Sequence, residues 1–399
     1  MKKIVFVANS SKRLKYYRLI AAKLGEQADV IFPLFPTLSL AIFWGGFFKA
    51  PVNEDELLGS HLRRQKINYP GLSKTPLLWK IFCFFCYFVE RARFYHYYHI
   101  FRKLDSEAVA IWNGQKQPYL TMVKAAEHAK KRILYFENGL MPNTTTADYA
   151  GVNAYNCLPR EPQFYLDLSA NGEQVHLPTK LVTRPPHKKR DISDQQEIEL
   201  PKNYIFVPFQ VPADSQIVIH SPWVLSMEQM FHALRDIHNK LRAEGREDIP
   251  HLVFKEHPSW PGNFDHLYEL DPTCIFANKN STQQLIENAQ AVVTINSTVG
   301  LESLLLGKKV VTLGQACYNI EQLVLHADNE QQLYEHMSNL ATWEINETLR
   351  HNYLAYIASI YCIPEGWEKM LEQADEQHIN AMVARVLETD TLSDHVKVK

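Results

Sequence analysis

The fold is decided by residues 291–314, AVVTINSTVGLESLLLGKKVVTLG. A β-branched run, AVVTIN, ends at Ser297 and Thr298, and the segment that follows has the pattern of a short helix. After Gly307 a second apolar run begins, KVVTLG. Two such strands joined through a helix form the βαβ unit of a parallel sheet, so the stretch predicts an α/β protein.

The same alternation extends outward over most of the chain. Strand-like runs begin at residues 2, 29, 108, 132, 204, 251 and 274, and helical patterns lie near 14–24, 119–131, 222–245 and 282–290. Residues 185–203 are polar, charged and bracketed by prolines, which is typical of a linker. The predicted architecture is two Rossmann-like α/β domains, with boundaries at 1–184, 185–203 (linker), 204–345 and 346–399 (helical tail).

Size and composition exclude several classes of protein. With 399 residues, 46% of them hydrophobic and 22% charged, the chain should form two globular domains. A net charge of −2 argues against a general nucleic-acid binder. The first residues, MKKIVFVANSSK, indicate a strand rather than a signal peptide, and six cysteines form no paired framework. We therefore expect a cytoplasmic protein.

An aromatic segment at 77–89, LLWKIFCFFCYFV, is too short and too interrupted to span a bilayer. It continues into the aromatic and basic segment ERARFYHYYHIFRK. We predict a buried helix here, and a peripheral membrane face is the alternative. Neither the Cys83–Cys86 spacing nor the His96–His99 pair indicates a redox or metal site, because no further partner is evident.

Polar side chains follow four of the predicted strands. Since the carboxyl ends of parallel strands are where ligands bind in open α/β sheets, these residues are the candidate site. They are Glu137, Asn138 and Gly139; Gln210, Asp214, Ser215 and Gln216; Glu256, His257 and Pro258; and Ser297, Thr298 and Gly300.

Ser297 and Thr298 open a predicted helix whose first N–H groups would favour an anion. Gly300 would let a ligand approach closely, and Glu302 suits ribose hydroxyls. The alternative is that a hydroxyl simply caps the helix. His257 could hold a phosphate oxygen, protonate a leaving group or serve only as a loop residue.

Glu137 and Asp214 suit the paired-acid chemistry of glycosyl transfer, one as nucleophile or base and the other as acid or orienter. Ordinary turn or capping acids are the alternative for either residue. The sequence contains no GxxxxGK[ST] loop, no GxGxxG after the first strand and no Asp-x-Asp. These absences argue against P-loop and standard dinucleotide enzymes. From them we expect that the protein has no cofactor and no metal site.

The His-Pro and Ser-Thr pairs resemble those of GT-B glycosyltransferases that use CMP-activated acidic sugars. The segments FENGLMPNTTTADYAGVNAYNCLPR (136–160), VPFQVPADSQI (207–217), Lys-x-His-Pro and Asn-Ser-Thr…Glu are more specific. They resemble the retaining β-Kdo transferases of bacterial capsule and O-antigen assembly, which include the KpsC and KpsS modules and the N-terminal domain of WbbB. The resemblance covers residues 130–320 well.

That resemblance implies a GT-B-like fold whose two domains face a cleft, with the acceptor on the N-terminal side and the CMP-sugar on the C-terminal side. The donor would be CMP-β-Kdo, Asp214 the nucleophile and Glu137 its acid/base or orienting partner. His257, Ser297 and Thr298 would hold the CMP phosphate, and Glu302 would meet the ribose. Candidates for the Kdo carboxylate or phosphate are Lys255, Arg160 and Gln210, while Asn138 and Asn153 would shape the loop.

The chain has room for one catalytic module, so a single Kdo linkage to a glycan or glycolipid acceptor is expected. Association with polysaccharide assembly or export machinery on the inner face of the inner membrane would follow. Two other functions stay open: a CMP-sialic-acid-dependent sialyltransferase, and a non-catalytic polysaccharide-binding or export subunit.

Overall fold

Two six-stranded sheets carry the fold, one in each of two compact units. The computed structural model describes residues 2–33, 52–168, 177, 196–246, 249–389 and 392. The first unit comprises Met1–Leu158 together with Ile357–Lys399, and the second is Pro159–Tyr356. The chain therefore leaves the first unit once and returns to it at its C-terminal end.

The sheet of the first unit has the strand order β12-β5-β4-β3-β1-β2. Strands β1 to β4 pair in parallel, β5 pairs antiparallel with β4, and β12 pairs antiparallel with β5. Helices α1 and α5 make crossovers of the βαβ kind. The bounds are β1 Lys2–Val7, α1 Ser11–Leu24, β2 Ala28–Ile31, β3 Ser106–Trp112, α5 Tyr119–His128, β4 Arg132–Asn138, β5 Thr144–Asp148 and β12 Ile363–Pro364.

The described residues between β2 and β3 form three helices: α2 (Glu54–Asn68), α3 (Pro70–Ser73) and the long α4 (Pro76–Lys103). The second half of α4 is anchored, with Phe94, Tyr97 and Phe101 in a core shared with α5. Among the described residues, none from the first half of α4 is buried in this core. The prediction of a helix over 77–89 is confirmed, but the prediction that it is buried is wrong for its exposed residues, which are Leu77, Leu78, Ile81, Phe84 and Phe85.

The sheet of the second unit is parallel throughout, in the order β11-β10-β9-β6-β7-β8. Its central strands are buried on both faces, which explains their nearly continuous apolar runs. The strands are β6 Tyr204–Pro208, β7 His251–Lys255, β8 Cys274–Phe276, β9 Ala291–Thr294, β10 Lys309–Thr312 and β11 Leu325–His326. The helices are α6 Pro162–Leu166, α7 Ser215–His220, α8 Met227–Ala243, α9 Thr282–Asn288, α10 Thr298–Leu305, α11 Glu330–Asn339 and α12 Glu347–Tyr356.

The C-terminal segment is shared between the units. Helix α12 belongs to the second unit, where it packs against α6, whereas residues from Ile357 onward belong to the first. There α13 (Glu376–Leu387) packs on α1, and Trp367 and Met382 enter the core. The sequence predicted one helical tail over 346–399; its apolar positions instead complete two different cores, and it contributes the short strand β12.

The α/β class and the two Rossmann-like sheets are confirmed by the strand pairings. Of the predicted linker, residues 185–195 lie outside the described residues, and 196–203 form no helix or strand. Within the described part of the chain, no helix combines the length and the apolar character needed to cross a membrane.

Candidate functional site

The carboxyl ends of β9, β6 and β7 are neighbours at one edge of the second sheet, because these three strands are adjacent and parallel. The segments that leave them carry Asn296–Thr298, Gln210–Asp214 and Glu256–Pro258, respectively. Four of the predicted site residues, Gln210, His257, Ser297 and Thr298, therefore follow strands that end at this edge, with Asp214 a few residues beyond β6.

Gln210 and Asn296 form a buried polar network at this edge, with 6% and 2% of their surfaces exposed. The Gln210 amide donates to Asn296 Oδ1 at 3.0 Å, and its carbonyl oxygen accepts from the Asn296 N–H at 3.2 Å. Asn296 Nδ2 donates to the carbonyl of Gln216 at 2.8 Å. Gln210 therefore has a structural role, since both ends of its amide are bound within the protein. Its predicted contact with substrate stays a prediction.

Asp214 is the N-cap of α7. Its Oδ1 accepts the Gln216 N–H at 3.0 Å, and its carbonyl accepts the Val218 N–H at 2.9 Å. The capping interpretation is thus confirmed, and the positive end of the helix stabilises the carboxylate. Because Asn296 binds the carbonyl of Gln216, the buried network also holds the turn that carries Asp214. A nucleophilic role for Asp214 stays a prediction.

Ser297 is the N-cap of α10, and its hydroxyl oxygen accepts the Val299 N–H at 3.2 Å. Thr298 is the first helical residue, and both side chains are half-buried. The predicted helix N-terminus is therefore present at the sheet edge, and the capping alternative for Ser297 is confirmed as well. A positive helix end of this kind favours an anion.

Gly300 is buried, and a Cβ there would lie 2.3 Å from the hydroxyl of Tyr318. That hydroxyl donates to the carbonyl of Ser297. Gly300 thus has a packing role beside the Ser297 turn. Its predicted role in the close approach of a ligand stays a prediction. Glu302 is half-buried near Tyr318. Burial raises the pKa of the Tyr318 hydroxyl, and the charge of Glu302 adds a smaller effect in the same direction.

The imidazole of His257 is oriented by its own loop, since Nδ1 accepts the Ser259 N–H at 3.1 Å. In the neutral ring Nε2 therefore carries the proton and is the donor. Glu256 beside it is 2% exposed and accepts from the hydroxyl of Tyr268 at 2.6 Å, which fixes the start of this loop. The loop thus orients the imidazole, and its predicted contact with a phosphate stays a prediction.

Lys255 is engaged by its own unit. Its ammonium donates to the carbonyls of Asn278 and Asn280 at 2.6 and 2.7 Å. It thus ties the loop after β8 to the end of β7. Its predicted contact with a carboxylate or phosphate stays a prediction. Arg160, at the start of the second unit, is half-buried. Burial raises the pKa of the Tyr353 hydroxyl, and the charge of Arg160 partly opposes this rise.

Glu137 lies in the first unit, at the end of β4. Its Oε2 accepts from the Asn113 amide at 2.5 Å and its Oε1 from the Asn138 N–H at 2.9 Å. Burial raises the pKa of the Glu137 carboxyl, and the two hydrogen bonds and the charges of Arg13 and Lys116 only partly offset this. A carboxyl group with a raised pKa is suited to proton transfer.

Around Glu137 the structure gathers polar residues that the sequence reasoning missed. The Arg13 guanidinium donates to Asn9 and Tyr119, and it lies 4.6 Å from the centre of the Trp112 ring. Asn9 follows β1, so the rule about strand ends could have found it. Tyr119 and Arg13 lie on helices, and only the packing of α1 and α5 brings them here. We call Asn9, Arg13, Asn113, Lys116, Tyr119 and Glu137 the Glu137 cluster.

Loop residues near Glu137 also have defined positions. Asn138 Oδ1 accepts from the Trp367 indole at 3.2 Å, so this predicted loop-shaping residue binds the C-terminal segment. Asn153 has a φ of 58° and donates to Gln115 at 2.8 Å. Among the described residues, no group of three or more His, Cys, Asp or Glu side chains is arranged to hold a metal ion.

Comparison with known proteins identifies the family. A family model described as capsule polysaccharide biosynthesis protein matches residues 179–361. Protein FixF of Sinorhizobium fredii is 34% identical over 296 residues, covering 73% of this chain and 67% of that protein. The chain belongs to the capsule polysaccharide biosynthesis family. The resemblance to capsule-assembly proteins found in the sequence is thereby confirmed.

Other capsule proteins are more distant. The capsule polysaccharide export protein KpsS of Escherichia coli is 26% identical, covering 56% of this chain and 70% of that protein. Among solved structures, the KpsC beta Kdo 2,7 transferase of Thermosulfurimonas dismutans is 14% identical with a TM-score of 0.46, covering 96% of this chain and 99% of that one. The family match at 179–361 contains every predicted site residue from Gln210 to Glu302, whereas Glu137, Asn138 and Arg160 precede it.

Proposed function

We propose that this capsule-family protein is a glycosyltransferase that moves Kdo from CMP-β-Kdo to a surface-polysaccharide or glycolipid acceptor, with retention of configuration. Family membership and the quoted sequence segments support this choice. The observation that carries it is the Gln210–Asn296 network, which holds a capped carboxylate, Asp214, and a helix N-terminus, Ser297–Thr298, at the end of one parallel sheet.

The CMP phosphate would bind at the N-terminus of α10, where the helix dipole and the hydroxyls of Ser297 and Thr298 favour an anion. His257, with Nε2 as the donating nitrogen, supplies a further hydrogen bond to a phosphate oxygen. CMP leaves as a phosphate monoester, so such donors stabilise the charge that develops on the leaving oxygen. Glu302 on the same helix would accept from the ribose.

Transfer would proceed by two displacements. A carboxylate oxygen of Asp214 bonds to the anomeric carbon of Kdo as the bond from that carbon to the CMP phosphate breaks, and the electron pair leaves with CMP. The acceptor hydroxyl then attacks the same carbon and displaces Asp214. Two inversions give retention. Helix capping orients Asp214 for the first step.

Glu137 would serve as the acid/base that takes the proton of the acceptor hydroxyl. Its raised pKa brings proton uptake closer to neutral pH than in an exposed glutamate. The anomeric carbon of Kdo bears a carboxylate, which repels an attacking carboxylate unless cations screen it. Arg160 is the predicted cation for this task, and Arg13 and Lys116 of the Glu137 cluster are further candidates for anionic groups of the substrates.

Replacement of Asp214 by asparagine tests the nucleophile. Asparagine caps helices as well as aspartate does, so Asp214→Asn preserves the fold while removing the attacking oxygen. We expect transfer from CMP-Kdo, measured as CMP release with acceptor, to fall by about a thousandfold or more. Intact-protein mass spectrometry should show one added Kdo on the wild type and none on the variant.

The matched control is Asp375→Asn, because Asp375 caps α13 in the same manner, with Oδ1 accepting the Gln377 N–H at 2.7 Å. This variant should retain transfer and the adduct. If Asp214→Asn retains full transfer, Asp214 is only a cap and the double displacement through it is wrong. Loss of the adduct alone, with transfer intact, would point to front-face attack.

The donor itself needs a separate test, since a CMP-binding unit would serve a sialyltransferase equally well. Consumption of CMP-Neu5Ac without consumption of CMP-Kdo would replace the Kdo proposal. A second candidate, a non-catalytic subunit, is favoured by one observation: Gln210, Lys255 and Asp214 all make structural hydrogen bonds. That candidate predicts no CMP release from either donor.

In this proposal the protein works on the cytoplasmic side of the inner membrane, as a peripheral component at its inner face. A glycolipid or a growing surface polysaccharide would be presented to it there by the assembly or export machinery. Binding to the membrane can be measured in the absence of the sugar donor.

A further inference from the structure

The first half of α4 carries an apolar surface that faces away from its own unit. The exposed fractions of Leu77, Phe84 and Phe85 are 69%, 63% and 64%, and Leu78 and Ile81 are half-exposed at 50% and 51%. Single exposed apolar residues are ordinary on a protein surface, but a contiguous group of large ones marks an interaction site. We call these five residues the α4 face.

The spacing of the α4 face shows that it is one side of the helix. At about 100° per residue, positions 77, 78, 81, 84 and 85 fall within about 120° of arc. The buried residues further along, Phe94, Tyr97 and Phe101, project to the opposite side of the same helix. The helix therefore packs on its unit with one side and presents phenylalanine and leucine on the other.

The chain segment that carries this surface has charged side chains of a single sign. Residues 57–89 contain no aspartate or glutamate. Lys74 and Lys80 are exposed beside the α4 face, and Lys66 lies 5.6 Å above the Trp79 ring, next to the same helix. The basic residues of this stretch are Arg63, Arg64, Lys66, Lys74 and Lys80.

We infer that the α4 face docks onto an anionic lipid surface, with Phe84, Phe85 and Leu77 inserted at the interface and the lysines bound to the headgroups. Aromatic and aliphatic residues on one helix side, flanked by lysine and arginine, are what an interfacial helix requires. A partner protein surface would need acidic groups to match the basic residues, and lipid phosphates supply such charge over a continuous plane. The inference deepens the proposed peripheral membrane association and rests on it, not on the identity of the donor.

Vesicle flotation with the full-length chain, without donor or acceptor, tests the inference. The wild type should float with vesicles of phosphatidylcholine and phosphatidylglycerol in equal parts and much less with phosphatidylcholine alone. High salt should weaken the binding, because the lysine contacts are screened. Replacing Phe84 and Phe85 together by serine should lower the apparent lipid affinity by about tenfold or more per phenylalanine.

The matched control is Leu225→Ser, which removes an equally exposed apolar side chain (62%) from the second unit and should not change flotation. Lys74→Glu with Lys80→Glu should remove the preference for phosphatidylglycerol. Transfer to a soluble acceptor should be unchanged in all of these variants, so failure of docking and failure of the transferase proposal are distinguishable.

Three results would overturn the inference. The first is that the wild type does not float on anionic vesicles. The second is that the Phe84/Phe85 variant floats as well as the wild type. Alternatively, sedimentation would show concentration-dependent self-association that the serine variant abolishes, in which case the α4 face binds a second copy of the chain.

Discussion

At the scale of the residue, Glu137 is a carboxyl group whose pKa is raised by its environment. Burial raises its pKa, and this exceeds the opposing effects of two hydrogen bonds, Arg13 and Lys116. A carboxyl group with a raised folded-state pKa favours folding while it is protonated. It costs stability once the pH rises through that pKa, because the folded state then has to hold a buried charge.

Replacement of Glu137 by glutamine should therefore stabilise the protein in a pH-dependent way. The free energy of unfolding of Glu137→Gln should exceed that of the wild type at pH 7, and the difference should shrink as the pH falls to 4, where the wild-type carboxyl gains its proton. Urea unfolding across this range measures it. The control is Glu127→Gln, on an exposed helix surface, whose effect should be small. A stability difference independent of pH would contradict the assignment of a buried, titrating carboxyl.

A single backbone N–H orients the imidazole of His257. The sequence left three interpretations open: phosphate donor, leaving-group acid and plain loop histidine. The Ser259 N–H donates to Nδ1, so Nε2 carries the proton in the neutral ring. The role of phosphate donor is the one that we propose for it.

At the scale of the element, the ends of β6 and β9 are joined by the Gln210–Asn296 network. Both side chains are buried, so each hydrogen bond that is lost leaves a partner without water to replace it. The side chain of Asn296 accepts a hydrogen bond from the Gln210 amide and donates to the carbonyls of Gln216 and His220. It is thus the residue on which the relative positions of Asp214 and the Ser297 turn depend.

Asn296→Ala should lower the free energy of unfolding by about 1–3 kcal/mol, and it should also weaken donor binding, because the Asp214 and Ser297 turns lose their common support. Asn288→Ala, which removes an exposed asparagine bound only to the Gln284 carbonyl of its own helix, should change stability by less than about 0.5 kcal/mol. Urea unfolding and donor titration provide the two measurements. Equal effects of the two substitutions would show that the network does not position the site.

At the scale of the whole molecule, the C-terminal segment completes the first unit. Trp367, Met370, Ile379, Met382 and Val386 lie in the same core as residues of α1, β1 and β4. The guanidinium of Arg385 is buried and donates to the carbonyls of Ala147, Ile360 and Tyr361. A sheet that begins at residue 2 thus depends on residues more than 350 positions later.

A chain that stops after Tyr356 should therefore lose the first unit but retain the second. Limited proteolysis should cleave residues 2–158 rapidly and leave fragments of 196–356 intact, because the first core would be exposed to water. A chain that stops after Thr389 retains α13 and should resist proteolysis like the full-length protein. Protection of residues 2–158 in the shorter chain would contradict this dependence.

Predictions from the sequence were most successful for strands that have a continuous apolar run. Strands β1 to β4 and β6 to β10 were found in this way, and the central strands β6 and β9 are buried on both faces. Strand β5, Thr144–Asp148, is short and polar apart from Ala147, and β11 and β12 have two residues each, so none has a recognisable period. The rule that ligands bind at the carboxyl ends of parallel strands gave the candidate site its residues.

The sequence by itself determined the α/β class, the strands that form the two sheets and the residues that follow them, because these depend on local composition and period. Only the tertiary structure decided which polar groups are used by the protein itself. Gln210 is bound by Asn296, Lys255 by Asn278 and Asn280, and the space at Gly300 is filled by Tyr318. Likewise, the first half of α4 is apolar on nearly all sides, so its sequence could not indicate which side packs on the unit. Contacts between residues far apart in the chain have no local signature, and they set both the hydrogen bonds of the candidate site and the exposure of the α4 face.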